Sequence, residues 1–147
     1  MQRIIFLLLF SFLTNISYAE EEYFLTLRNE KVNLRQGPSF DYPVKIFYKK
    51  KFLPVIVFDK SDNFRKIRDH ENNTGWIHIS QLSKKKAAIT TDNQIIIFSK
   101  PSFYSTPIAI MKQGRHCIIK KCKGEWCSIS VDKYDGWVRK TSLWGLL

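Results

Sequence analysis

Short segments that alternate apolar and polar residues recur along most of the chain. Phe64-Arg65-Lys66-Ile67-Arg68 alternates in this way, and Gly75-Trp76-Ile77-His78-Ile79 continues the alternation after the turn-forming Glu71-Asn72-Asn73-Thr74. A period of two residues is typical of half-buried strands. No stretch after residue 19 shows a sustained apolar stripe with the period of a helix. The pattern therefore predicts an all-β protein, with His78 on a solvent-facing side of its strand.

One order of sequence motifs occurs twice along the chain. Five matches follow one another in the same order, at offsets between 61 and 64 residues: Pro38-Ser39-Phe40 with Pro101-Ser102-Phe103, Tyr42-Pro43-Val44 with Thr106-Pro107-Ile108, Phe64-Arg65-Lys66-Ile67 with Trp126-Cys127-Ser128-Ile129, Gly75-Trp76-Ile77 with Gly136-Trp137-Val138, and Leu82 with Leu143. An internal repeat indicates two copies of one structural unit. Closing a small sheet into a barrel removes its exposed edges. We therefore predict two consecutive small β-barrels.

The first 19 residues have a different character from the rest. Arg3 gives a positive start, residues 4–13 are apolar apart from Ser11, and Ser17-Tyr18-Ala19 places small residues where a signal peptidase cleaves. This is the pattern of a secretory signal peptide. A transmembrane anchor is the alternative, but it needs about 20 apolar residues, roughly twice this run. We expect cleavage after residue 19, no stable membrane span afterwards, and a periplasmic or extracellular protein.

The repeat also divides the chain into domains. We expect a signal peptide over residues 1–19, a first barrel over 26–83, a basic linker over 84–88 and a second, degenerate barrel over 89–147. The linker is short and charged and contains neither Gly nor Pro. The two barrels should therefore be close neighbours, and they could share an interface.

The charge is unevenly distributed between the two halves. The formal net charge is +11, yet residues 20–83 carry 11 basic and 9 acidic residues whereas residues 84–147 carry 12 and 4. A basic surface attracts anionic partners, which for an exported protein are wall polymers, lipid headgroups or acidic proteins rather than nucleic acid. The electrostatic candidates are six lysines of the second half: Lys84, Lys85, Lys86, Lys120, Lys121 and Lys123. A lysine-rich composition, with 17 Lys against 7 Arg, is the alternative explanation.

Three motifs of the first repeat carry a resemblance to a known family. They are Val32-Asn33-Leu34-Arg35-Gln36-Gly37-Pro38-Ser39, Tyr42-Pro43-Val44 and Gly75-Trp76-Ile77, and together they resemble the bacterial SH3-like domain. Residues 30–82 follow the pattern closely, and residues 90–145 less closely, since Phe98 and Lys100 stand where the motif has Arg and Gly. Two units after a signal peptide resemble a group of exported alphaproteobacterial SH3-like proteins. The resemblance implies small barrels that bind cell-wall peptides or partner proteins.

Four aromatic residues are candidates for ligand contacts. Phe40 and Tyr42 lie in the loop after Pro38, where SH3 domains present aromatic side chains to their ligands. Trp76 and Trp137 follow a glycine at matching positions of the repeat. The tryptophans are interpreted either as the wall of a ligand groove or as aromatic residues that close each barrel, and the second interpretation is the simpler one.

Three cysteines, Cys117, Cys122 and Cys127, allow two interpretations. With His116 they could ligate zinc, but four intervening residues twice in succession on strands is poor spacing for a metal site, and we expect none. Export favours oxidation. Cys122 ends one predicted strand and Cys127 begins the next, and facing positions of a hairpin lie about 4.5–5.5 Å apart, within disulfide reach. We therefore predict a Cys122–Cys127 disulfide, with Cys117 as a small buried residue.

The sequence does not favour an enzyme. Catalysis needs a nucleophile or an acid–base pair held by a third group, and His70, His78 and His116 have no such motif around them. We expect a non-catalytic envelope module without cofactors that binds a cell-wall peptide or an envelope protein. A structural spacer or scaffold for another envelope protein is the alternative, and an inactive accessory of a wall hydrolase is a third interpretation.

Overall fold

The structure is a computed structural model that describes residues 20–146. The predicted signal peptide lies outside the described residues. The first sheet contains β1 (Tyr23–Leu27), β2 (Val32–Arg35), β3 (Val44–Tyr48), β4 (Pro54–Ser61), β5 (Phe64–Arg68), β6 (Thr74–His78) and β7 (Leu82–Ser83). The second contains β8 (Ala87–Thr90), β9 (Gln94–Phe98), β10 (Pro107–Lys112), β11 (His116–Lys123), β12 (Trp126–Val131), β13 (Tyr134–Arg139) and β14 (Leu143–Trp144). Single 3-10 turns at Ile79–Gln81 and Lys140–Ser142 precede the last strand of each sheet.

The two sheets have the same topology. The strand order is β3-β2-β6-β5-β4-β1-β7 in the first and β10-β9-β13-β12-β11-β8-β14 in the second, so each strand is replaced by the one seven places later. All the pairings are antiparallel. The prediction of an all-β protein built from two repeated barrels is confirmed. Between residues 20 and 146, no helix is long and apolar enough to cross a membrane.

The two repeats also share their register. Leu34 lies opposite Ile46 in the first sheet as Ile97 lies opposite Ala109 in the second, and each hairpin has an irregularity at the same place. The offset between these pairs is 63 residues, the offset of the Pro-Ser-Phe repeat. A residue of one barrel can therefore be compared directly with its equivalent in the other.

Each barrel encloses its own apolar core. The first core contains Leu27, Val32, Leu34, Val55, Val57, Ile67, Ile77 and Leu82, and the second contains Ala88, Ile95, Ile97, Met111, Cys117, Ile119, Cys127, Ile129, Val131, Val138 and Leu143. Complete burial of one large aliphatic side chain contributes about 1.5–3 kcal/mol. Two separate cores explain how repeats of this size each support a sheet.

The two barrels touch directly. The rings of Phe24 and Trp144 meet edge to face with their centroids 5.0 Å apart, and the Thr26 hydroxyl donates to the Lys85 carbonyl at 2.8 Å. β8 begins at Ala87, inside the segment 84–88 that the sequence assigns to the linker. The short connection therefore holds the barrels against each other.

Candidate functional site

Phe40, in the loop between β2 and β3, is strongly exposed and still contacts other aromatic rings. Its side chain is 62% exposed. The ring lies 5.2 Å from the ring of Phe64 and 5.1 Å from that of His78, centroid to centroid. Edge and offset contacts of this kind stabilise an aromatic side chain in one orientation. His78 is on the outer side of β6 as predicted, but its ring packs into this cluster instead of standing free in solvent.

Arg35 fixes the loop that carries Phe40. Its Nη1 donates to the carbonyl oxygens of Phe40, at 3.1 Å, and Tyr42, at 2.9 Å. The guanidinium carbon lies 5.4 Å from the centre of the Phe40 ring, close enough for a cation–π attraction. The arginine of the Val-Asn-Leu-Arg motif is thus a structural residue of the loop.

Tyr42 has different neighbours from Phe40. Its side chain is 47% exposed, and its ring covers Gly37, where an added Cβ would lie 2.5 Å from the ring carbons. Only a glycine permits this approach. Phe40 and Tyr42 therefore belong to one loop, but Phe40 leans towards Phe64 and His78 whereas Tyr42 closes the base of the loop.

The second barrel has an equivalent aromatic cluster. Phe103 is 63% exposed, and its ring centroid lies 4.9 Å from that of Trp126 and 5.7 Å from that of Phe98. The Arg139 guanidinium lies 5.5 Å from the Phe103 ring and 5.4 Å from the Trp126 ring. None of these four residues is among the site residues predicted from the sequence. The Pro-Ser-Phe repeat contains the signal that would have identified Phe103.

The two clusters differ in where they carry positive charge. Arg35 of the first barrel is replaced by Phe98, and His78 is replaced by Arg139. The cation therefore lies on the β2 side of Phe40 but on the β13 side of Phe103. Both arrangements place a cation beside an exposed ring, a combination that can contact an apolar group and a carboxylate at the same time.

Trp76 and Trp137 lie on the outer faces of the sheets. Each is half-buried, next to a fully buried residue in its strand. Trp76 pairs with Arg35 across the β2–β6 contact, and Trp137 pairs with Phe98 across the β9–β13 contact. The tryptophans thus stand where the β2–β3 and β9–β10 hairpins join the rest of their sheets, and each is partly exposed.

An ammonium group lies over each of the two tryptophans. The Lys66 Nζ is 5.8 Å from the Trp76 ring, and the Lys121 Nζ is 5.7 Å from the Trp137 ring. Such contacts are worth about 0.5–1 kcal/mol at exposed sites. Each tryptophan therefore has a lysine ammonium over its ring and pairs with a residue of the aromatic cluster in its own barrel, Arg35 or Phe98.

The six predicted lysines do not share one set of contacts. Lys84, Lys85 and Lys86 line a groove of about 390 Å³ with Tyr23, Phe24, Leu25, Thr26, Ala87, Gly145 and Leu146. Lys120 is ion-paired with Asp135 at 2.8 Å. Lys121 lies over Trp137, and Lys123 is exposed at the end of β11. The electrostatic candidates thus occupy two regions, the groove at the barrel junction and the β11–β12 hairpin.

The predicted disulfide joins Cys122 and Cys127. The two residues are direct partners in the β11–β12 hairpin, with their Cα atoms 4.0 Å apart. Cys117 is a free thiol in the core, 1% exposed, and burial raises its pKa to about 12. Within residues 20–146, no three His, Cys, Asp or Glu side chains are grouped so that they could hold a metal ion.

The comparison with protein families agrees with this architecture. The family model for the bacterial SH3 domain matches the chain twice, over residues 28–84 and 91–145. The chain belongs to the bacterial SH3 domain family. The resemblance of the first repeat is thereby confirmed and extends to the degenerate second repeat. Bacterial SH3 domains are typically non-catalytic binding modules, often for cell-wall components, and they commonly occur in exported proteins.

Beyond the family match, this tandem bacterial SH3 protein has little sequence identity to proteins of known structure. No curated protein matches it. It is similar to the structure of NlpC2 from Trichomonas vaginalis at 16% identity and a TM-score of 0.39, over 87% of this chain and 49% of that one. It is also similar to NlpC1 from Trichomonas vaginalis at 15% identity and a TM-score of 0.38, over 86% and 47% of the two chains. The chain spans about half the length of these proteins.

Proposed function

We propose that the protein is a non-catalytic binding module of the cell envelope that recognises a cell-wall peptide at the Phe40 cluster. The cluster consists of Arg35, Phe40, Phe64 and His78. The observation that carries the proposal is that Phe40 is 62% exposed and yet is held by ring contacts on one side and by the Arg35 hydrogen bonds to its loop on the other.

A fixed and exposed ring is favourable for binding. Ordering a side chain at an interface costs about 0.5–1.5 kcal/mol, and a ring that is already held avoids part of this cost. Aromatic side chains also bury a large area for few rotatable bonds. The Arg35 guanidinium beside the ring could pair with a carboxylate, a group that free peptide ends carry. A short peptide with an apolar and an anionic group fits this chemistry.

Membership of the bacterial SH3 family supports a binding role over a catalytic one. Export is part of the proposal. It is supported by the signal-peptide pattern of residues 1–19 and by the Cys122–Cys127 disulfide, because structural disulfides persist in oxidising compartments. The proposed location is therefore the periplasm or the cell exterior.

A spacer that holds another envelope protein is the second candidate function. The junction favours it, because Phe24 and Trp144 pack together and the His116 imidazole donates from Nε2 to the Phe52 carbonyl at 2.8 Å. Contacts of this kind hold the barrels in a fixed relation, as a spacer requires. They do not account for the exposed position of Phe40, which is why a binding module is the first choice.

The test is sedimentation of the processed protein, residues 20–147, with purified peptidoglycan. Phe40→Ala should reduce the bound fraction several-fold. Phe47→Ala is the matched control, since Phe47 is an equally exposed phenylalanine of β3, at 66%, outside the cluster. Loss of binding in both variants, or in neither, would contradict the assignment to Phe40. Mass spectrometry of proteins that co-purify from envelope extracts distinguishes the spacer, which predicts one stoichiometric protein and no affinity for the wall.

A further inference from the structure

Two grooves adjoin along β1 of the first barrel. One, of about 390 Å³, lies at the barrel junction between β1 and residues 84–86. The other, of about 530 Å³, extends from β1 to Ile79. Tyr23, Leu25 and Lys84 line both of them, and we call the pair the β1 groove. Each volume is in the range of small-molecule binding sites.

The groove is open because β1 has a partner along only part of one edge. β7 pairs with Thr26 and Leu27 but not with the residues before them. Beyond β7 the chain turns towards the second barrel, where the Lys86 carbonyl accepts a hydrogen bond from the Ile119 N–H at 3.0 Å. The space left between β1 and residues 84–86 is the part of the groove at the junction.

Apolar side chains form the floor of the groove. Leu82 is a core residue, and Leu25 packs against the same core. Tyr23 and Ile79 continue the apolar surface and are 40% and 39% exposed, and Leu146 contributes from the second barrel. Removing apolar surface from water is favourable. Because this surface is recessed, a narrow guest covers more of it than a flat partner does.

Every charged side chain that lines the β1 groove is a cation. In the part of the chain that the structure describes, none of these side chains forms an ion pair. Arg28 donates from Nε to the Leu82 carbonyl at 3.0 Å, and this bond leaves the other N–H groups of its guanidinium for a ligand. The lining cations are Arg28, Arg65, Lys84, Lys85 and Lys86.

The acidic residues before β1 do not line the groove. There are three of them, Glu20, Glu21 and Glu22. Glu20 is ion-paired with Lys60 and Glu22 with Arg68. The groove therefore combines an apolar floor with a positive rim.

The equivalent place in the second barrel lacks this combination. By register, Ala88 is the equivalent of Leu25, and Lys140 opens the 3-10 turn that corresponds to the turn opened by Ile79. A short side chain and a charged one thus replace two large apolar ones. The apolar floor is therefore not a feature that this barrel fold requires.

We propose that the β1 groove binds a free fatty acid, with the hydrocarbon chain on the apolar floor and the carboxylate at the positive rim. Carboxylate oxygens only accept hydrogen bonds, and the charged groups of the rim only donate them. A peptide would also bring backbone N–H groups, and no carboxylate or amide side chain lines the groove to accept from them. The site shares no residue with the Phe40 cluster and does not depend on the proposed function.

The test is titration calorimetry of the processed protein with decanoate below its critical micelle concentration. Decanoate should bind, and hexanoate should bind about tenfold or more weakly because its chain buries fewer methylenes. Decan-1-ol has the same chain without the charge and should also bind about tenfold more weakly.

Two pairs of variants locate the site. Ile79→Asn should weaken decanoate binding about fivefold, and Ile96→Asn on β9 is the control, since Ile96 is similarly exposed at 42%. Replacement of Lys84–Lys86 by glutamine should weaken decanoate binding about tenfold and leave that of decan-1-ol unchanged. Glutamines at Lys49–Lys51 should change decanoate binding by less than about twofold, because distant exposed charges are screened.

Thermal melting should show that the variants are folded. The exposed lysines of residues 84–86 decide the result if Ile79→Asn is not folded. Equal affinities for decanoate and decan-1-ol would show that the cations do not hold a head group, and equal losses in Ile79→Asn and Ile96→Asn would place the chain elsewhere. Co-sedimentation with phosphatidylglycerol vesicles without binding of decanoate would assign the cations to a bilayer surface. Each of these results, or no binding of any probe, would overturn the proposal.

Discussion

Phe40 and Phe103 occupy the same position in the two repeats and are exposed to almost the same extent, 62% and 63%. Each rests on a buried ring of the hairpin that follows, Phe64 in the first barrel and Trp126 in the second. The cation beside the exposed ring comes from opposite sides, from Arg35 in one barrel and from Arg139 in the other. The shape of the site is repeated but the position of its positive charge is not, so the barrels should differ in their ligands.

Replacement of Arg35 by alanine should loosen the loop that carries Phe40. Two hydrogen bonds from a charged donor to loop carbonyls are lost, and we expect unfolding to become easier by about 1 kcal/mol. Amide exchange in residues 36–43 should accelerate, and binding to peptidoglycan should weaken. Arg65→Ala is the control, because Arg65 also donates to two carbonyls, those of Asp62 and Phe64, in a different turn. If the two variants have the same effect on binding, Arg35 does not position the site.

Replacement of Gly75 or Gly136 by alanine should destabilise the barrel that contains it. A Cβ at Gly75 would lie 2.7 Å from the Arg35 carbonyl oxygen, and one at Gly136 would lie 2.7 Å from that of Phe98. Overpacking of this kind costs about 1–3 kcal/mol. Gly124→Ala, at a turn with φ of +56° and open space around it, should cost about 1 kcal/mol. Urea unfolding of the three variants measures the difference, and equal midpoints would contradict the predicted clash.

Much of the fold could be predicted from the sequence because strand alternation and the repeat are both local signals. The all-β class, the two barrels and the Cys122–Cys127 pairing all follow from spacing along the chain. Of the first cluster the sequence predicts only Phe40 as a site residue, together with Tyr42 from the same loop. The sequence cannot show that these two rings have different neighbours, because the Arg35 hydrogen bonds and the contact of Tyr42 with Gly37 depend on the folded loop.

The second cluster illustrates a different limit. Phe98 and Lys100 replace the arginine and glycine of the motif, so the second repeat resembles a degenerate copy. The structure shows that the position of Phe103 is retained while the cation is supplied by Arg139. Phe103 and Arg139 are 36 positions apart in the chain, so the spacing of residues does not reveal that Arg139 supplies the cation. The lysines were grouped by charge, although Lys120 is already engaged by Asp135.

Thiol labelling should distinguish the three cysteines. Without reductant the native protein should react at Cys117 at most, and slowly, because this thiol is 1% exposed and burial raises its pKa to about 12. Unfolding in denaturant should make Cys117 alone reactive. Opening the disulfide, by Cys122→Ser with Cys127→Ser, should cost about 2 kcal/mol or less, because its loop is short. Labelling of all three cysteines in protein isolated from its own compartment would contradict the pairing.

The junction should weaken in mild acid. Burial lowers the pKa of His116 below its usual value near 6.5, with a further lowering from Lys50 and an opposing effect of the bond to Phe52. Because the folded pKa is lower than the unfolded one, protonation favours the unfolded state. The contribution of His116 is fully present above pH ~6.5 and is lost as the pH falls towards the folded pKa. Lys50, His70, Arg115 and Asp132 also line this cleft.

A non-titrating variant isolates His116 from these neighbours. His116→Gln keeps an N–H that can donate to the Phe52 carbonyl but has no proton to gain in this range. Melting temperatures measured from pH 7.5 to 5 should fall less steeply for the variant than for the wild type. His70→Gln is the control in the same cleft. Parallel curves for His116→Gln and the wild type would show that His116 does not carry the pH dependence.

The six lysines and the aromatic loop should affect binding in different ways. Exposed charges are screened over about 8 Å at physiological ionic strength, so replacement of Lys84, Lys85 and Lys86 by glutamine should weaken binding to an anionic wall component and flatten its salt dependence. The same change at Lys120, Lys121 and Lys123 should have a smaller effect, since Lys120 is paired with Asp135 and Lys121 lies on Trp137. Phe40→Ala with Tyr42→Ala should weaken binding and leave the salt dependence alone.

The control for the charge effect is a third lysine triplet. Replacement of Lys49, Lys50 and Lys51 by glutamine removes the same charge from the first half of the chain. If binding depends only on the net charge of the protein, this variant and the Lys84–Lys86 variant should lose the same amount of binding. Sedimentation with peptidoglycan at 50 and 300 mM salt, about a 2.5-fold change in screening length, separates the two cases. If the three triplets flatten the salt dependence equally, the attraction belongs to the net charge. If none of them changes it, the lysines of the second half reflect composition and contribute nothing to recognition.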